Sequence, residues 1–297
     1  MTRMMNPEKT KPRLAREWDF WRSIRSSKTS ICALLLLMLF VLAAGFAQWV
    51  APRDPLKTSG QTLRAPSREF FFGTDDLGRD VFSGVVHGAR TSITTGLTVA
   101  LLSGLWGVLI GLIAGYAGGL WDDLLMRLTE LFLIPPRFFM ALVIAAIFGA
   151  SHFTVIIILT ITYWPFTARL VRAEVMSLKE RSFVEAARAM GATPTRILLR
   201  QILPNALPLI VTQVILMIGG VILIEAGLDF IGLGDRNHIS WGYMLHNGQH
   251  FIRDAWWMVV FPMLAVSLLV FALNVLGDAL NRALDPRSRI EYLNKPV

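Results

Sequence analysis

The chain has 297 residues, of which 54% are hydrophobic and only 17% charged, with a mean hydropathy of +0.53. Soluble domains carry about 25% charged residues, so a water-soluble globular protein is excluded and lipid must replace water over much of the surface. The net charge is +8. The basic residues cluster between apolar runs, which is the positive-inside pattern of a membrane protein and not the footprint of a nucleic-acid partner. One cysteine, Cys32, lies inside the first apolar run and rules out an intramolecular disulfide framework.

Residues 1–29 are polar and basic, and Trp18-Asp19-Phe20-Trp21-Arg22 reads as an amphipathic piece at the membrane surface. The long charged region and the lack of a small-residue cleavage site argue against a cleaved signal peptide. Ser30–Val50 is a first span, because about 20 apolar residues cross a bilayer, and it enters from the cytoplasm. Residues 51–90 form an outer loop. Within it Phe72–Asp80 is dense in Gly and Asp and reads as a tight turn followed by a helix start, with Asp75 or Asp76 as the cap. A calcium loop is set aside because the EF-hand spacing and its terminal Glu are missing.

The five-span core covers 91–286. The second span, about 91–116, carries Gly107, Gly111 and Gly115 on one face, a small-residue seam for a neighbouring helix. The third span, about 121–149, opens with Asp122 and Asp123 at its positive end. Arg127 and Glu130 are spaced to pair, and Pro135-Pro136 predicts a kink. The fourth span is about 153–170, with Trp164-Pro165 inside it. A basic inner loop, 171–206, leads to the fifth span at about 207–228, where Glu225 and Asp229 stand at the outer end as an interfacial pair or cap. The sixth span, about 256–280, carries Asn274 and Asp278. Six spans put both termini, including the tail 287–297, in the cytoplasm, and the arginines of the inner loop agree.

The inner loop holds the most ordered polar stretch, 182–208. Glu185 to Met190 is made of helix formers, and Gly191 sits where a left-handed helix end is expected. Thr193 can cap a second helix beginning at Pro194, and Pro204 and Pro208 punctuate the return to apolar sequence. The paired small residues Ala186 and Ala187 would let another backbone come close, beside Glu185, Arg188, Arg196 and Arg200. The residues alone leave two readings: a plug for another protein's groove, or a helical hairpin lying on lipid headgroups.

Glu185-Ala186-Ala187, then Gly191, then Leu203-Pro204 resembles the cytoplasmic coupling loop of ABC importer permeases. Gly73-Thr74-Asp75-x-x-Gly78-Arg79-Asp80 resembles the outer turn of the dipeptide, oligopeptide and nickel permeases. Ser240-Trp241-Gly242, the Asn274-x-Leu-Gly-Asp278 run and the Leu284-Asp285-Pro286 tail resemble the same subfamily. The resemblance implies an all-α integral membrane protein of the type I importer permease fold, with six transmembrane helices. It also implies that Glu185, Ala186, Ala187, Gly191, Leu203 and Pro204 couple to an ATPase. The implied partners are a second permease subunit forming a heterodimer, two ABC ATPase subunits and a periplasmic or lipid-anchored substrate-binding protein. ATP and its Mg would sit on the ATPases, so this chain would hold no cofactor. The implied cargo is peptides, with nickel or metal chelates and oligosaccharides as alternatives, and the implied location is the bacterial inner membrane.

The chemistry that is missing agrees. The chain has no Gly-x-x-x-x-Gly-Lys-Ser/Thr phosphate loop and neither the His-Glu-x-x-His nor the Gly-x-Ser-x-Gly motif, so it is expected to be no enzyme. His246 and His250 are four apart, but a metal site would need a third ligand such as His238, and two polar residues of an outer loop is the preferred reading. A secondary transporter would more often show midspan ionisable residues and inverted repeats. A scaffold subunit without a path is the remaining alternative.

Overall fold

The computed structural model describes residues 27–51, 53–149, 151–235 and 238–284. The expected interfacial helix at 18–22 and the tail 287–297 lie outside the described residues. Five helices are long and apolar enough to cross a membrane, and a bent pair makes a sixth if it counts as one span. In order, α1 is Lys28–Gly45, α2 the short Ala47–Val50, α3 Val81–Ala117, α4 Gly119–Leu133, α5 Arg137–Phe148 and α6 His152–Lys179. Then come α7 Ser182–Ala189, α8 Pro194–Ile197, α9 Leu203–Leu228, α10 Trp241–Gly248 and α11 Trp257–Leu284. A π turn at Leu198–Ile202 joins α8 to α9.

The helices overrun the apolar runs that mark them. The run records the thickness of the lipid, whereas the helix continues as long as its caps and packing allow. α3 begins ten residues before the apolar run and has 37 residues, and α6 continues to Lys179. The cap of α3 is Asp80, not Asp75 or Asp76: its Oδ2 accepts from the Ser83 N–H at 3.0 Å and from Ser83 Oγ at 2.6 Å. The turn has to close first, through Gly73 (φ 77) and Gly78 (φ 75).

Two prolines give contrasting results. Pro135-Pro136 does not merely kink the third span. α4 and α5 meet at 80°, and α5 starts at Arg137 without a side-chain cap. Pro204 and Pro208, by contrast, do not interrupt the re-entry. Pro204 sits in the first turn of α9, where its missing N–H costs nothing, and Pro208 lies inside the helix.

The bundle closes on the glycine seam. A Cβ on Gly107 would lie 2.5 Å from Thr167 Cβ, and one on Gly111 would lie 2.6 Å from the Ala168 carbonyl oxygen. α3 and α6 therefore run backbone against backbone, which only small residues permit. Val99, Ala141, Leu159, Tyr163 and Val221 fill the core where α3, α5, α6 and α9 meet. A second core surrounds the fully buried Trp241, whose Nε1 donates to the Val85 carbonyl at 2.9 Å. α1 packs at the edge against α11 through Ala33, Ala272 and Leu276. Outward-facing residues such as Leu35, Leu39, Leu105 and Trp106 are exposed, as lipid contact requires.

Candidate functional site

The stretch 182–208 has the predicted helix end at Gly191 and helix start at Pro194, but the second helix is not short: it runs through the π turn into α9 as one 40-residue helix, Pro194–Leu233. α7 ends at Gly191 (φ 78), whose N–H donates to the Arg188 carbonyl at 2.9 Å, while the Ala192 N–H reaches the Ala187 carbonyl at 3.0 Å. Thr193 caps α8 by accepting from the Arg196 N–H. Its inner face joins a core with Leu112 of α3 and Val171, Val175 and Leu178 of α6, to which it contributes Val184, Ala187, Ile197 and Ile202. The unit is therefore fastened to the C-terminal ends of two long helices.

The six coupling candidates divide into two groups. Glu185, Ala186 and Gly191 are exposed, while Leu203 and Pro204 are half-buried. Ala187 is 4% exposed and belongs to the chain's own core, so only Ala186 of the alanine pair is open to another backbone. The phase of α7 decides this: Val184 and Ala187 are three apart and share the inward stripe. Met190, 81% exposed, and Arg188 extend the outward face. That face combines a small apolar centre with charged edges and has no ion pair among the described residues.

The 73–80 turn, expected on the outer side, is built as one knot. Thr74 Oγ1 donates to the Gln61 carbonyl at 2.7 Å and accepts from the Arg64 N–H at 2.9 Å. The Thr74 carbonyl accepts from Trp257 Nε1 at 3.0 Å, which ties the turn to α11. A Cβ on Gly73 would lie 2.5 Å from the Arg64 carbonyl oxygen. Asp75 Oδ1 accepts from the N–H groups of Leu77 and Arg79 at 2.9 and 2.7 Å. Burial pushes the Asp75 carboxyl above the usual carboxylate range, and those N–H groups offset part of the rise. Arg79, half-buried, and Asp80 line a small cavity of about 30 Å³ with Tyr243 and Asn247.

Glu225 and Asp229 are both buried at the C-terminal end of α9. Glu225 accepts from Ser92 Oγ of α3 at 3.1 Å, and Asp229 accepts from Ser240 Oγ. Each is a buried carboxylate tied to a serine of another element, and the two do not form the interfacial pair expected from the sequence. His238 does not join His246 and His250. It stacks on His152 with ring centroids 5.1 Å apart, and its Nδ1 lies 3.0 Å from Asp235 Oδ2. Among the described residues no group of three or more His, Cys, Asp or Glu side chains is arranged to hold a metal ion. Arg127 and Glu130 form no ion pair among the described residues.

Sequence reasoning passed over Arg137. It opens α5 at the break, and its guanidinium lies over the rings of Tyr163 at 5.0 Å and Phe166 at 5.1 Å. The signal was a basic residue directly after Pro-Pro within an apolar run.

Comparison with known proteins gives a consistent set of likenesses. The family model described as binding-protein-dependent transport system inner membrane component matches residues 107–290. The N-terminal TM domain of oligopeptide transport permease C matches residues 17–66. A putative peptide transport system permease protein of Brucella suis biovar 1 is 41% identical over 260 residues, 87% of this chain and 88% of that one. The di/tripeptide transport system permease protein of Pseudomonas aeruginosa is 38% identical over 277 residues, 91% of each chain. A glutathione transport system permease protein of Escherichia coli is 39% identical over 272 residues, 91% of this chain and 90% of that one. A solved structure of the MetNI methionine ABC transporter in an inward-facing conformation is similar in fold. Its TM-score is 0.57 at 21% identity, covering 68% of this chain and 96% of that one.

Proposed function

The chain belongs to the family of binding-protein-dependent transport system inner membrane components, and from that premise we propose that it is a permease subunit of an ATP-driven importer of di- or oligopeptides. The family is one of multi-pass, non-catalytic membrane subunits. The observation that carries the reading is the exposed face of Glu185, Ala186 and Gly191 on a unit fastened to α3 and α6. A unit with an open outer face and a core shared with spanning helices is suited to pass movement from a docked partner into the bundle.

In this reading a second permease completes the path, and two ATPases dock from the cytoplasm, where both termini also lie. A binding protein delivers peptide to the outer side, near the 73–80 turn and α10. ATP and Mg²⁺ bind the ATPases. Closure of those subunits moves the 182–208 unit, and α6 carries the movement outward.

The test is a mild-detergent pull-down of the tagged chain from its own host, followed by reconstitution of the recovered complex. Recovery of a second permease and ATPases, with ATP-dependent uptake of a dipeptide, is expected. A chain recovered alone, or transporting without ATP, would overturn the assignment.

A further inference from the structure

The depth of Arg137 follows from α6. Tyr163 comes 11 residues after His152, the first residue of α6, or about 17 Å along the axis, near the middle of a hydrocarbon core about 30 Å thick. The guanidinium that lies over Tyr163 is therefore at mid-membrane. Among the described residues no carboxylate pairs with it; Asp122 of the adjoining α4 is held by Arg172.

A charge at that depth is not left to hydrocarbon. It faces protein or a wet path, and it usually marks a route for substrate. Two aromatic faces support the guanidinium and offset part of its desolvation, yet they leave its planar fork of N–H donors without a carboxylate. The surroundings are open: Ile134, Phe139 and Phe166 are 77%, 61% and 44% exposed. Backbone that leaves the helical path at membrane depth, as at 134–136, survives only where it is covered by protein or lines a water-filled cavity. This chain does not cover it.

We propose that Arg137 is a specificity-determining residue of the translocation path, laid over Tyr163 and Phe166 so that its guanidinium takes the carboxylate of a passing peptide at mid-membrane. The two rings hold the guanidinium in place, and a planar fork is suited to grip a carboxylate with two parallel hydrogen bonds. The inference rests on the peptide-importer reading above. It adds that the permease itself, and not the binding protein alone, inspects the free carboxylate.

The experiment uses the reconstituted complex with its binding protein and follows uptake of labelled dialanine alongside ATP hydrolysis for wild type, Arg137→Gln and Arg137→Lys. Arg137→Gln is expected to co-purify with the second permease as wild type does. It should keep ATP hydrolysis within about twofold while uptake falls about tenfold or more, the loss of one charge-assisted contact. Arg137→Lys keeps the charge without the fork and should fall between. Wild-type uptake by Arg137→Gln overturns the inference. So does loss of the second permease from that variant, which would make Arg137 an inter-subunit contact, and so does a parallel fall of uptake and ATP hydrolysis. An assembled wild-type complex that takes up neither dialanine nor a labelled longer peptide overturns the peptide reading itself, and the inference falls with it.

Discussion

Arg172 and Asp122 close a two-bond ion pair between α6 and α4, with Arg172 Nη2 donating to Asp122 Oδ2 at 2.6 Å and Nε donating to Oδ1. Beside it Lys179 Nζ donates to the Tyr116 carbonyl at 2.6 Å. α4 is thus fastened to the helix that leads into the 182–208 unit. Fork geometry makes the pair better than an ordinary surface pair, but the Arg172 side chain is 32% exposed and water screens part of the gain. Arg172→Gln should cost about 1 kcal/mol, read as a lower melting temperature of the detergent-purified chain. Combining Arg172→Asp with Asp122→Arg should restore part of the loss, and no recovery in the double variant would show that the pair does not act as a pair.

Gly191 tests the coupling unit. Nothing lies within 4 Å of the place where its Cβ would be, so the constraint there is backbone conformation (φ 78) and not space. Gly191→Val should strain the end of α7 by about 1–2 kcal/mol, impairing uptake more than assembly. Gly191→Asn, which tolerates the left-handed region, should behave nearly as wild type. Uptake and ATP turnover that are unchanged in Gly191→Val would mean that the loop is not a tuned coupler.

The glycine seam makes the opposite demand. Gly111→Ala puts a methyl 2.6 Å from the Ala168 carbonyl oxygen, so α3 and α6 must separate. Overpacking of this kind costs about 1–3 kcal/mol. Gly45→Ala, with nothing within 4 Å, is the control and should be neutral or slightly stabilising. Equal melting temperatures for the two variants would refute the close approach of α3 to α6.

Asp75 and Asp80 should respond differently although both sit in the outer turn. Asp80→Ala removes the cap of α3 and should cost about 1 kcal/mol. Asp75→Asn keeps an oxygen for the Leu77 and Arg79 N–H groups and removes a charge that burial disfavours, so at pH 7 it should be at least as stable as wild type. The sign follows from the raised carboxyl: folded Asp75 holds its proton more tightly than unfolded Asp75. Its stabilising contribution is full below the ordinary carboxylate value and is lost as pH rises through the raised one. Melting curves from pH 4 to 7 should therefore bring wild type closer to Asp75→Asn on the acid side.

What the sequence disclosed was mostly local. The end at Gly191, the cap at Thr193 and the seam of Gly107, Gly111 and Gly115 all follow from spacing within one or two turns. Asp80 could not be told from Asp75 or Asp76 by propensity, because all three are good caps and the choice is made by where Gly78 lets the turn close. The burial of Ala187 depends on the phase of α7 against Val171 and Val175. Arg127 and Glu130, correctly spaced on one helix, ignore each other, whereas Arg172 and Asp122 meet across 50 residues of chain. No local pattern records such a pairing. The depth of Arg137 likewise became visible only when Tyr163 and Phe166 came to lie beside it.

α6 runs without a break for 28 residues, through Pro165, while its neighbour α4–α5 bends by 80° between Leu133 and Arg137. At one end α6 delivers the 182–208 unit. At the other, the His152 N–H donates to Asp235 Oδ2 at 3.2 Å, beyond the outer end of α9. A stiff rod about 42 Å long beside a jointed one divides the labour between them. On the proposed function, the rod carries to its His152 end what happens at the 182–208 unit, and the joint lets the middle give way without either end losing its footing.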